Sequence, residues 1–228
     1  MTGRKAHATT LVIGCGALGR ELVELTARNG LDHVEIRCLP ASLHNRPERI
    51  PAAVDALVRA TAGQYERIFV AYADCGTGGA LDRVLQTHGL ERLPGAHCYA
   101  IYAGLSAFDQ LADEEPGTFY LTDFLVRSFD ALVIRGLGLD RHPELLPTYF
   151  AGYRRVVYLA QHDDPALLAA AEHAAGRLGL TLEVRQTGYG ELAPALAALV
   201  QTGAPSTPAI TPAITLATTS QVAGEAAA

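Results

Sequence analysis

The chain has 228 residues, 49% of them hydrophobic and 18% charged, with a formal net charge of −6. That is enough for one packed domain or two small lobes. It carries no basic run of the kind a nucleic-acid surface needs and no apolar stretch near the ~20 residues of a membrane span, so neither partner is expected. The polar start MTGRKAHATT has no signal core and predicts a cytoplasmic protein.

Thr9 to Ile13 predicts a buried strand, Gly14 to Gly19 a glycine-rich turn, and Arg20 to Asn29 a helix stopped at Asn29-Gly30. His33 to Cys38 alternates Val34, Ile36 and Cys38 with Glu35 and Arg37, the pattern of an edge strand. Pro47 to Ala62 predicts a helix with Ile50, Val54, Leu57 and Val58 on its apolar stripe. Arg67 to Ala73 is apolar on both faces and predicts a central strand, followed by a helix over about 80–88. Short connections in this β-α-β-α-β-α series imply parallel strands in the order 2-1-3.

The second half is less regular. Residues 97–108 predict helix and 117–121 a short strand, with Thr122 as the N-cap of a helix carrying Leu125, Phe129, Leu132 and Val133. Another helix is expected over 143–153. Val156 to Ala160 predicts a central strand, Pro165 to Leu178 a helix, Thr181 to Gln186 an edge strand, and a last helix ends near Gln201. The fold class is α/β: an open, mostly parallel Rossmann-like sheet flanked by helices, with a helical insertion. Residues 1–202 are expected to form a single α/β domain, or two lobes over about 1–115 and 116–202. The Ala-, Pro- and Thr-rich segment 203–228 is expected to be a disordered tail.

Ligands of open parallel sheets bind beyond the carboxyl ends of the strands. Cys15 follows the first strand there, Cys38 and His44 lie at and after the second, and Asp74 and Cys75 follow the third; His97 and Cys98 return close by. Mixed thiol and imidazole donors are zinc chemistry, and cysteines alone suit an iron–sulfur cluster. The candidate metal ligands are therefore Cys15, His44, Cys75, His97 and Cys98, with Asp74 as an acid–base group or a plain helix cap. Cys38 continues an apolar strand face and reads as a packed thiol.

The same turn, Gly14-Cys15-Gly16-Ala17-Leu18-Gly19, fits the G-x-G-x-x-G dinucleotide pattern, making Gly14, Gly16 and Gly19 candidate cofactor-binding positions. That pattern asks for an acid at the end of the second strand; Arg37-Cys38-Leu39-Pro40 stands there instead.

Six pieces carry a family likeness: Cys15-Gly16-Ala17-Leu18 with Glu21; Leu39-Pro40 with Leu43-His44-Asn45-Arg46-Pro47; Tyr72 to Gly78; Pro94 to Cys98; Gly117 to Asp123; and Gly188-Tyr189-Gly190. Over residues 9–201 the chain resembles the family known as domain of unknown function 1638. The resemblance implies a companion of corrinoid-dependent methyltransferases in one-carbon metabolism, with a methyltransferase or corrinoid protein as partner and corrinoid among the possible cofactors. Three functions stand side by side: a metal-binding protein taking a small-molecule ligand, an NAD-type oxidoreductase, and a non-catalytic accessory protein.

Overall fold

The computed structural model describes residues 8–201. The first strand, β1 (Thr10–Cys15), is buried along its whole length. After a 3-10 turn over Gly16–Leu18 come α1 (Gly19–Arg28), β2 (Val34–Leu39), α2 (Ile50–Ala60), β3 (Arg67–Ala71) and α3 (Ala80–His88). These strands are parallel, in the order β2-β1-β3, as the pattern of apolar residues predicts. The register sets Gly14 beside Cys38 on one side and Ala71 on the other.

Strand β3 ends this sheet instead of lying inside it. Among the described residues, its outer side carries only a parallel bridge, Val70 to Arg92, where the Leu93 N–H donates to the Val70 carbonyl at 3.2 Å. An apolar run on both faces reports cover above and below a sheet, which an end strand can have as fully as a middle one.

The helical insertion is α4 (Cys98–Ala103) and α5 (Leu105–Glu114). A second parallel sheet follows, β4 (Thr118–Thr122), β5 (Arg155–Ala160) and β6 (Thr181–Gln186), in the order β4-β5-β6. The apolar run of β5 places it centrally, and its alternation places β6 at an edge. Its helices are α6 (Asp123–Arg127), α7 (Leu146–Tyr149), α8 (Pro165–Leu178) and α9 (Leu192–Gln201), with a π turn over Asp130–Ile134. Thr122 caps α6, its hydroxyl accepting the Leu125 N–H at 3.4 Å. The helix expected over 143–153 is broken into a 3-10 turn, Pro143–Leu145, and the one-turn α7. Pro143 and Pro147 each suit a first helical turn, so they start two short helices where one was expected.

Two cores result. One gathers around β1 and includes Leu192, Leu196 and Leu199 of α9, although α9 follows the second sheet in the chain. The other gathers around β5. Between them, the Asn45 side-chain amide donates to the Leu132 carbonyl at 3.2 Å. Gly136 makes room for that approach: a Cβ there would stand 2.7 Å from the Asn45 nitrogen. The Glu191 N–H donates to the Ile101 carbonyl of α4 at 2.7 Å. Among the described residues, no helix is long and apolar enough to cross a membrane. The expected tail lies outside the described residues.

Candidate functional site

The first site is built where β1 and β3 end. Cys15 closes β1, and its Sγ accepts the Ala17 N–H at 3.4 Å, capping the 3-10 turn. Cys75 lies in the loop after β3 with φ at +50°, the left-handed region. A residue with a Cβ pays roughly 1–2 kcal/mol for that conformation. Two backbone bonds hold it there: Asp74 N–H to the Gly95 carbonyl at 3.1 Å and Cys75 N–H to the Ala96 carbonyl at 2.7 Å. They fasten the β3 loop to the segment leading into α4, whose first residue is Cys98.

Three thiols therefore lie in one neighbourhood without closing on a common point. Cys15 and Cys98 are buried and Cys75 is half-buried. Burial raises the Cys15 pKa above its usual range. Burial, and then the adjacent Cys15, push Cys75 up to about 11. Burial, and then Cys75 and Cys15, hold Cys98 well above its ordinary value. All three are neutral thiols, and Cys75 and Cys98 are sensitive to their neighbours' charge. Against the same thiols lies Tyr72, 1% exposed, whose hydroxyl faces the Cys15 thiol and makes no well-formed hydrogen bond among the described residues. A buried polar group left unpaired costs about 1–3 kcal/mol.

The two histidines collect around Tyr99, the residue after Cys98. The ring centroids of His44 and His97 lie 6.4 and 6.2 Å from that of Tyr99. Burial, and then nearby His97, hold His44 below its ordinary pKa, favouring the neutral imidazole a metal would use. Tyr99 in turn stacks on Tyr120 at 5.4 Å.

Asp74 serves its own loop. Its carboxylate accepts from the Thr77 hydroxyl at 2.7 Å, the Gly79 N–H at 2.9 Å and the Gly78 N–H at 3.1 Å. Burial alone would raise its pKa, but these bonds outweigh it and hold the group below the usual range. The glycines of the turn also have local work. A Cβ on Gly14 would fall 2.4 Å from Leu22, and one on Gly16 would fall 2.9 Å from the Leu39 carbonyl and 3.0 Å from the Ala41 nitrogen. The close approach at Gly16 is thus made by the chain's own backbone. Gly19 faces the Cys38 sulfur, 3.2 Å from where its Cβ would be. Cys38 as a whole is exposed, because β2 is an edge strand with incomplete cover, while its sulfur rests against the Gly14–Gly19 turn. Among the described residues, no three His, Cys, Asp or Glu side chains stand ready to hold a metal ion.

A family model described as "Protein of unknown function (DUF1638)" matches residues 38–196. The chain belongs to the DUF1638 family. The match takes in His44, Asp74, Cys75, His97 and Cys98, and leaves Cys15 and its glycines before it. No curated protein and no solved structure matches the chain.

This DUF1638 protein holds a second polar cluster, at the carboxyl ends of the second sheet; Asp123 and Tyr189 belong to pieces that carry the family likeness, and His162 was not singled out in the sequence. Asp123 follows β4, His162 follows β5 and Tyr189 follows β6. Asp123 has no exposed surface. Its Oδ1 accepts the Tyr158 hydroxyl at 2.7 Å and the Gln161 N–H at 3.0 Å, and its Oδ2 meets His162 Nδ1 at 2.7 Å. His162 Nε2 stands 3.1 Å from the Tyr189 hydroxyl and 3.2 Å from Glu24 Oε2 on α1. Burial alone would lower the His162 pKa, but the Asp123 and Glu24 carboxylates outweigh it and hold it above its ordinary value. The signal for this cluster was the strand-end rule, applied to the first three strands and not to the last three.

Proposed function

We propose that this DUF1638 protein binds a soft divalent metal, zinc by preference, at Cys15, Cys75 and Cys98, with His44 or His97 completing the set. The observation that carries it is the approach of three thiols, two buried and one half-buried, from separate segments around Tyr72. The left-handed Cys75 supports it, since strain of this kind collects at ligand sites. Neutral thiols gain little by converging. A metal that replaces their protons, which pass to solvent, and forms metal–sulfur bonds of about 2.3 Å would draw them together. The family likeness adds a setting for such a site, beside a methyltransferase or corrinoid protein in one-carbon metabolism. The close packing of Gly14 and Gly16 against the chain itself makes the NAD-type alternative the weaker one.

The test is metal analysis of protein purified without air or chelator, then reloaded with zinc or cobalt(II). Wild type is expected to carry a single metal per chain, Cys75→Ala to lose it and Cys38→Ala to keep it. Retention by Cys75→Ala, or failure of wild type to take up either metal, overturns the proposal.

A further inference from the structure

Two donors converge on one carboxylate at the rim of the second cluster, with the Tyr189 hydroxyl beside them. His162 Nε2 lies 3.2 Å from Glu24 Oε2, and Arg28 Nη2 lies 2.8 Å from Glu24 Oε1. The Tyr189 hydroxyl, 3.1 Å from His162 Nε2, is the leading influence keeping Glu24 ionised. Arg28 also stands over the Tyr189 ring, 5.5 Å from its centroid. We propose that His162, Tyr189 and Arg28 form a receptor for the carboxylate or phosphate group of a small ligand, in which Glu24 is the displaceable occupant of the free protein.

The cluster is too heavily built for the ion pair it holds. Burying a carboxylate such as Asp123 costs several kcal/mol unless it is fully paired. Asp123 is fully paired, and what it positions is the His162 ring. Yet Glu24 and His162 have side chains 31% and 29% exposed, and pairs near water return about 0–1 kcal/mol. A buried carboxylate holding a histidine ring with Nε2 turned outward has its natural return in a ligand's negative charge.

Position agrees. Asp123, His162 and Tyr189 come from the carboxyl ends of three adjacent parallel strands, where open sheets take their ligands. Tyr189 is fixed between Gly188 and Gly190, at φ of +56° and +48°. A Cβ on Gly190 would fall 2.2 Å from the Ile101 carbonyl, so this loop is clamped on α4. One turn before Glu24 on α1, Glu21 is 1% exposed with its Oε2 unpaired, a second buried polar group with capacity to spare.

The probes are acetate and inorganic phosphate, titrated separately into the full chain by calorimetry. Removing the occupant with Glu24→Ala is expected to tighten binding of one of them at least about ten-fold over wild type. Adding His162→Gln to Glu24→Ala is expected to abolish the gain. A gain for acetate names a carboxylate ligand, and a gain for phosphate names a phosphorylated one. Glu24→Gln, which keeps the side chain's volume, is titrated in parallel in case the alanine form does not fold. No tighter binding in either variant, or a gain that survives His162→Gln, overturns the proposal. Cys75→Ala is expected to leave the anion affinity unchanged, so this receptor stands or falls separately from the thiol site.

Discussion

Replacing Asp123 by Asn removes a charge and adds an N–H donor at a position with no exposed surface. The three groups around the native carboxylate at 2.7, 3.0 and 2.7 Å all come to it as donors. The Asn oxygen can still serve the Tyr158 hydroxyl and the Gln161 N–H. Its amide then faces His162 Nδ1, donor against donor, unless the ring gives up a proton. Removing one partner of a buried pair costs about 3–5 kcal/mol. Because His162 keeps Glu24 and some contact with water, we expect the lower end, about 3 kcal/mol. At roughly 2–4 °C per kcal/mol for a chain of this size, the melting temperature drops by about 6–12 °C.

The loss depends on pH. The folded His162 pKa is raised, so its contribution is fully present below the unfolded histidine value of about 6.5 and is lost as pH rises through the folded value. The gap between wild type and variant is therefore widest at low pH and narrows above neutrality. Thermal melts of both proteins from about pH 5 to pH 8.5 measure it across the histidine range. A variant melting within about 2 °C of wild type at low pH, or a gap that widens as pH rises, refutes this account of the cluster.

Two more substitutions test the first site. Gly16→Ala puts a methyl against the backbone of Leu39 and Ala41 at 2.9 and 3.0 Å, and is expected to cost about 1–3 kcal/mol in urea unfolding; an unchanged midpoint would show that the turn is not closely packed. Tyr72→Phe deletes the unpaired hydroxyl. The metal-free protein is expected to gain about 1 kcal/mol, while its affinity for zinc, measured by competition with a chromophoric chelator, falls. A less stable metal-free variant would mean that the hydroxyl is satisfied in solution.

Much of the architecture was legible because it rests on local periodicity. The alternation of Val34, Ile36 and Cys38 marked an edge, and the apolar run of β5 marked a centre. The position of β3 was not legible, since side-chain pattern reports what lies above and below a strand and is silent about its hydrogen-bonded neighbours. The Pro143 to Tyr153 stretch failed for another reason: two prolines that each favour a helix start were read as one helix. The thiols could be placed on separate loops at one sheet edge, but the bonds from Asp74 and Cys75 to Gly95 and Ala96 that draw Cys98 in are backbone contacts with no residue signature. His162 had the plainest location of all, directly after a central strand. It carried no motif, and its partners Asp123 and Glu24 lie 39 and 138 residues away.

The last helix returns to the first sheet. Leu192, Leu196 and Leu199 of α9 complete the core around β1. On a ribosome, residues 10–113 emerge long before those leucines do. Until α9 clears the exit tunnel, the apolar surface it will cover on the first sheet has no partner, and that half of the chain cannot close its core as it is made. Nascent chains halted before Leu192 should bind chaperones that recognise open apolar surface, and release should follow once α9 has left the tunnel.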